Sequence, residues 1–223
     1  MKEVGDKVLA IVWKDILSEV RTREIATSLV AFALLVIVVV SFALEPGELT
    51  SPIAAGILWV AFTFAGVLGL SRSFVMEKDK GCLQGLMLCP VDRSLIYLGK
   101  MLSIVVFMLV VEAIILPVFV ILLDQPLFPP QLAVIALLAT IGFAAVGTLF
   151  SALAVNTKAR DVMLPLLFLP VASPVIIAAI RSSGLALSGE SWGAIASWLG
   201  IMAAFDVIFL VVSLLVFEFV IEE

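Results

Sequence analysis

Long apolar runs alternate with short polar ones along the chain, and six of the runs are long enough to cross a bilayer. A spanning helix takes about 20 mostly apolar residues. Residues 25–44, 53–71, 101–123, 131–155, 162–180 and 194–217 meet that length. Within them the only charged residues are Glu112 and Asp206. Ahead of the first run the pattern changes. Apolar residues recur as Val8/Leu9, Val12/Trp13, Ile16/Leu17 and Val20, with Lys7, Lys14, Asp15, Ser18, Glu19 and Arg21 largely on other faces. That is the period of an amphipathic helix. A helix of this kind lies in the membrane interface, with Trp13 suited to headgroup depth. The pattern therefore predicts an all-α polytopic membrane protein. An interfacial helix over 1–24 precedes a six-helix transmembrane domain over 25–221.

Composition agrees. The chain has 223 residues, of which 63% are hydrophobic and 14% charged, with mean hydropathy +1.28. A soluble domain of this length needs far more polar surface. The net charge of −5 sits in the connections and says little about partners, and nothing in it suggests nucleic acid. No signal peptide is expected, because the N-terminus is polar and the first apolar run is too long for a signal sequence.

Lys and Arg accumulate on the cytoplasmic side of membrane proteins. The N-terminal segment holds Lys2, Lys7, Lys14, Arg21 and Arg23. Arg72, Lys78, Lys80, Arg93 and Lys100 follow the second run, and Lys158 and Arg160 follow the fourth. Residues 45–52 and 124–130 have no positive charge, and the last outward connection, 182–193, is preceded only by Arg181. Both termini are thus expected in the cytoplasm.

Most chemical motifs are absent. No glycine-rich loop ends in Gly-Lys-Ser/Thr, so the usual phosphate cradle is missing. The chain has no histidine, the commonest metal ligand and proton shuttle. Cys82 and Cys89 lie about 10 Å apart along a helix, too far for an easy disulfide, and no zinc site is expected. The polar stretch 72–97 is more informative. It starts charged, then runs through Cys82, Leu83, Leu86, Met87 and Leu88 to Pro90. This spells a short amphipathic helix, either docking a soluble partner or lying on the membrane. Asp92 or Ser94 is placed to cap the third span.

Glu112 and Asp206 both fall near the midplane. An ionised carboxylate there costs about 2.5–3.5 kcal/mol on insertion scales, so each is expected protonated, paired or facing a cavity. A proton or substrate site and interhelical hydrogen bonding remain open for Glu112. For Asp206 packing is the favoured reading. Small residues recur every four positions at Ala61, Ala65 and Gly69, and at Ala136, Thr140, Ala144, Thr148 and Ala152, which permits close helix approach. Pro165, Pro170 and Pro174 are expected to break the fifth span, as a gate element or a kinked packing helix.

Residues 20–24 (Val-Arg-Thr-Arg-Glu), 56–74 (Gly-Ile-Leu-Trp-Val-Ala-Phe-Thr-Phe-Ala-Gly-Val-Leu-Gly-Leu-Ser-Arg-Ser-Phe), 81–100 and 164–179 resemble the haem exporter protein B family, CcmB. The likeness covers nearly the whole chain. It implies an ABC-2-exporter-like permease subunit of the bacterial inner membrane that is not itself an enzyme. Partners implied are the ATPase CcmA, which carries the ATP, then CcmC, CcmD and the haem chaperone CcmE. A complex of two permeases and two ATPases is implied as well, with haem as cargo and no cofactor held directly. The resemblance makes Glu77, Cys82, Leu83, Leu86 and Met87 the ATPase-coupling segment. Two alternatives stand beside it: an assembly subunit that moves no solute, and a secondary transporter using Glu112 as its proton site. The absence of an evident inverted repeat argues against the latter.

Overall fold

Helix α1, Lys2–Thr22, ends one residue before α2, Glu24–Ala43, begins. Then come α3 (Ser51–Asp79), α4 (Arg93–Leu122), α5 (Pro130–Val155), α6 (Arg160–Leu187) and α7 (Trp192–Glu222). The structure, a computed structural model, describes residues 2–22, 24–44, 49–79, 91–123, 129–155, 157 and 160–222. All regular structure among them is helical, and α2 to α7 are each long and apolar enough to cross a membrane. The six expected spans are therefore present, within a few residues at most ends, and the protein is an all-α polytopic membrane protein.

Small residues decide which helix sits at the centre. The α5 positions Ala136, Thr140, Ala144, Thr148 and Ala152 are all buried. With short side chains on that face, α5 packs against α3, α4, α6 and α7 together. In α3 and α5, 72% of the spanning residues are buried, against 17% in α2 and 22% in α7, so the former are core helices and the latter rim helices. Leu29, Ala33 and Ile37, four apart, form the narrow inward stripe of α2. Two glycines of the core act as sockets. A Cβ at Gly66 would strike the Phe143 ring, and one at Gly147 would strike Leu70. Each lets a bulky neighbour approach the backbone.

Three boundaries differ from the sequence expectation. Helix α3 continues past Ser71 to Asp79, so the polar stretch 72–97 opens as a helical extension. Asp92 takes the cap position of α4, but its side chain makes no capping bond there. No break interrupts the fifth span: α6 is one continuous helix through Pro165, Pro170 and Pro174, which fits the kinked packing helix of the two readings. It also runs seven residues beyond Ile180, into the segment expected as an outer loop. Its polar residues there are satisfied locally. The Ser182 hydroxyl donates to the Ala178 carbonyl at 2.8 Å, and Trp59 Nε1 donates to Ser183 Oγ at 2.9 Å. The helix stops at Gly189, whose φ of +79° is the left-handed conformation that glycine takes without strain. Glu190 N–H donates to the Leu185 carbonyl and Gly189 N–H to the Ala186 carbonyl, the paired bonds of a Schellman end. The connection expected outside is thus only 188–191.

Candidate functional site: buried charged groups around the central helix

Glu112 is buried on α4, about three turns before the helix end, and faces α5. The Thr140 hydroxyl donates to Glu112 Oε1 at 2.5 Å, a direct bond between the two helices. Glu112 Oε2 has no hydrogen-bond partner among the described residues. One turn toward the start of α4, Met108 joins Thr140, Ala139, Phe143, Trp59, Phe62, Thr63, Val175 and Ile176 around a small apolar cavity. Its size suits about one water molecule. Thr140 therefore stands between the carboxyl and the cavity.

Asp206 lies on α7, on another side of α5. Its carboxyl is buried, and neither oxygen has a hydrogen-bond partner among the described residues. The carboxyl fits against Gly142, where a Cβ would strike Asp206 Oδ1. An interhelical hydrogen bond is thus present at Glu112, where a proton or substrate site stood open beside it, and at Asp206 no such bond is found among the described residues and the carboxyl is closely packed. The two acids flank α5 without meeting each other in any bond. Among the described residues neither carboxyl has a cationic partner, so each is a neutral group or an expensive ion at this depth.

A second charged cluster lies at the end of the bundle that carries α1. Lys100, 1% exposed, reaches Asp15 Oδ2 at 2.8 Å, and Lys14 approaches Asp15 Oδ1 at 3.1 Å. Burial pushes the Asp15 carboxyl up, but the charge and hydrogen bond of Lys100, and then Lys14, outweigh it. The carboxyl is held below its ordinary value of 3.8. The periodicity of α1 put Asp15 on a polar face. The structure instead places it beside Val8, Ile11 and Val12, which are buried, while Leu9, Trp13 and Val20 are exposed. Lys100 was counted only as a loop charge. The pair was missed because a single charge four residues after Ile11 reads as solvated until its partner is known. Nearby, the Tyr97 hydroxyl donates to the Ala145 carbonyl at 2.9 Å, and its ring sits 5.1 Å from Phe217. This ties the first turns of α4 to α5 and α7.

Glu77 falls in the helical extension of α3. Cys82, Leu83, Leu86 and Met87 lie outside the described residues. Pro165, Pro170 and Pro174 lie along α6, and of these Pro170 and Pro174 are exposed. Among the described residues no group of three metal-ligating side chains occurs.

The chain can now be set beside known proteins. A model of the CcmB protein family matches residues 6–222. The Heme exporter protein B of Rhodobacter capsulatus is 34% identical over 150 residues, covering 66% of this chain and 68% of the relative. That of Pseudomonas aeruginosa is 30% identical over 188 residues, covering 82% and 83%. That of Bradyrhizobium diazoefficiens is 28% identical over 188 residues, covering 83% and 85%. With the family match running from α1 to the last turn of α7, this six-span chain belongs to the CcmB protein family.

Proposed function

We propose that the chain is the permease subunit of an ABC transporter that serves c-type cytochrome biogenesis in the bacterial inner membrane. It converts ATP hydrolysis in a partner, CcmA, into movement of its own helices, for haem export or for release of the haem chaperone CcmE. The observation that carries this reading is the family match over almost the entire chain, with relatives named for haem export. The chain has no phosphate-binding loop, so the hydrolysing site belongs to another subunit. Lys and Arg cluster in alternate connections, which supports both termini in the cytoplasm. In that orientation α1, the extension of α3 and the start of α4 share the cytoplasmic side. Two permeases and two ATPases form the complex, alongside CcmC and CcmD.

The segment around Glu77, Cys82, Leu83, Leu86 and Met87 docks the ATPase through an apolar face. Leu83→Asp with Leu86→Asp puts charge on that face. The expected result is a permease that stays in the membrane but no longer co-purifies the ATPase. Unchanged co-purification and hydrolysis would move the docking site elsewhere.

A second reading is that the subunit couples energy and moves no solute. The absence of histidine favours it, because histidine is the usual axial ligand that would hold haem iron in transit. Proteoliposomes containing only this chain and its ATPase separate the two. ATP-dependent haem movement supports transport, and hydrolysis without movement supports the coupling role.

A further inference from the structure

Helix α1 is fastened to the bundle away from its neighbour in sequence. It runs directly into α2 yet packs far more extensively along α4. Two adjacent α4 positions make that contact. At Gly99 a Cβ would meet Ile11 Cβ at 2.8 Å, so the missing side chain is what lets Ile11 seat there. At Lys100 the ammonium reaches Asp15, which lies one turn after Ile11 on the same face of α1. The far end of α1 is fastened too. Glu19 Oε1 accepts a hydrogen bond from the Ala26 N–H at 2.8 Å, in the first turn of α2. An unbroken set of contacts thus links the first two turns of α4, α1 and the head of α2.

We infer that Asp15 and Lys100 form a latch that makes α1 and the start of α4 one body, so that force applied at the Arg93 end of α4 reaches α2 through α1 as well as through the direct packing of α4 on α2. Lys100 lies seven residues after Arg93, about 10 Å along the helix. Sliding α1 away from α4 would leave the Lys100 ammonium buried without its carboxylate, which proteins strongly resist. The two helices therefore move together rather than past one another. This deepens the proposed function, on which it rests, by naming how a push at the ATPase-facing end leaves α4. Asp15 and Lys100 are positioning residues in that step and touch neither nucleotide nor cargo.

The test uses the whole complex in cells, with Asp15→Asn, Lys100→Met and the double variant. Four readouts are followed: permease level, ATPase co-purification, ATP hydrolysis and cytochrome c maturation. Each single variant is expected to keep the first three while maturation falls by about five- to a hundredfold, the usual span of a coupling between sites. The double variant should be no worse than the more severe single one, because both remove the same link. Asp15→Glu should restore part of the loss. Normal maturation in either single variant overturns the latch. So does a loss that simply follows permease level, or losses that multiply in the double variant. If a single variant fails to accumulate, the double variant decides, because it removes both charges of the pair together. A control separates the underlying reading: maturation by the unaltered chain with a hydrolysis-dead ATPase would sink the ABC assignment itself, whatever the latch variants do.

Discussion

Glu112 is the residue whose replacement says most about what the bundle interior does. Its bond to Thr140 is an interhelical hydrogen bond, which is worth about 1 kcal/mol in a membrane. Glu112→Gln keeps an acceptor for that hydroxyl, whereas Glu112→Leu removes it. If the carboxyl only ties α4 to α5, Gln should behave nearly like Glu, and Leu should lose about 1 kcal/mol of stability. A folded, ATPase-bound Glu112→Gln protein with no cytochrome c maturation would instead mark a proton site. Asp15 offers a pH test at the other cluster. Its folded-state carboxyl lies below 3.8, so the stability it lends α1 is complete above that value and disappears as pH falls through the lower folded value. Hydrogen exchange of the α1 amides, corrected for intrinsic rates, should show constant protection from pH 7 to pH 5 and loss only well below 4. Protection that already falls between 7 and 5 would contradict the assigned pair. At this scale the sequence was half legible. Glu112 and Asp206 stand out because nothing else in the six runs is charged. Asp15 and Lys100 do not, because each sits where a solvated charge is normal. Gly142 escapes notice for a different reason: its role is visible only when Asp206 is seen against it.

Helix existence was plain from hydrophobic run length, while helix ends were not. Apolar runs report where a helix is buried or lipid-facing, and a helix can continue where the side chains turn polar. Helix α3 does so past Ser71, and α6 does so past Ile180. For α6 the signal was present in another form. Gly189 is the residue that a left-handed helix end requires, eight residues after the charged Arg181 where the apolar run stops. Replacing it tests the assignment. Gly189→Ala forces a side chain into positive φ and should lower stability by about 1 kcal/mol, read as a lower melting temperature in detergent. No change would mean that α6 ends in some other way. The prolines taught the opposite lesson. Three prolines in one run suggest a break, but in a bilayer interior the freed carbonyls are re-satisfied by small helix adjustments and neighbours. The helix therefore persists through all three.

At the scale of the whole molecule, the proposed orientation rests on charge bias, and the helix-end contacts fit its alternation. Pro52, at the start of α3, lies against Gly184 near the end of α6, while Arg72 near the other end of α3 bonds Ser28 at the start of α2. With the basic end inside, Glu190 lies outside and Asp92 inside, and both are exposed. A membrane-impermeant thiol reagent should label Glu190→Cys in intact cells, or in spheroplasts, and spare Asp92→Cys until the membrane is opened. The reverse pattern would invert the topology. The proposed role makes this arrangement depend on hydrolysis in another chain. The direct measurement is c-type cytochrome maturation in cells whose own copy of this chain has been removed. The chain is returned together with either an active or a hydrolysis-dead CcmA. The account predicts maturation with the active ATPase and none with the inactive one, at equal permease level and equal co-purification. Maturation that persists with the inactive ATPase, or with no ATPase at all, would contradict it.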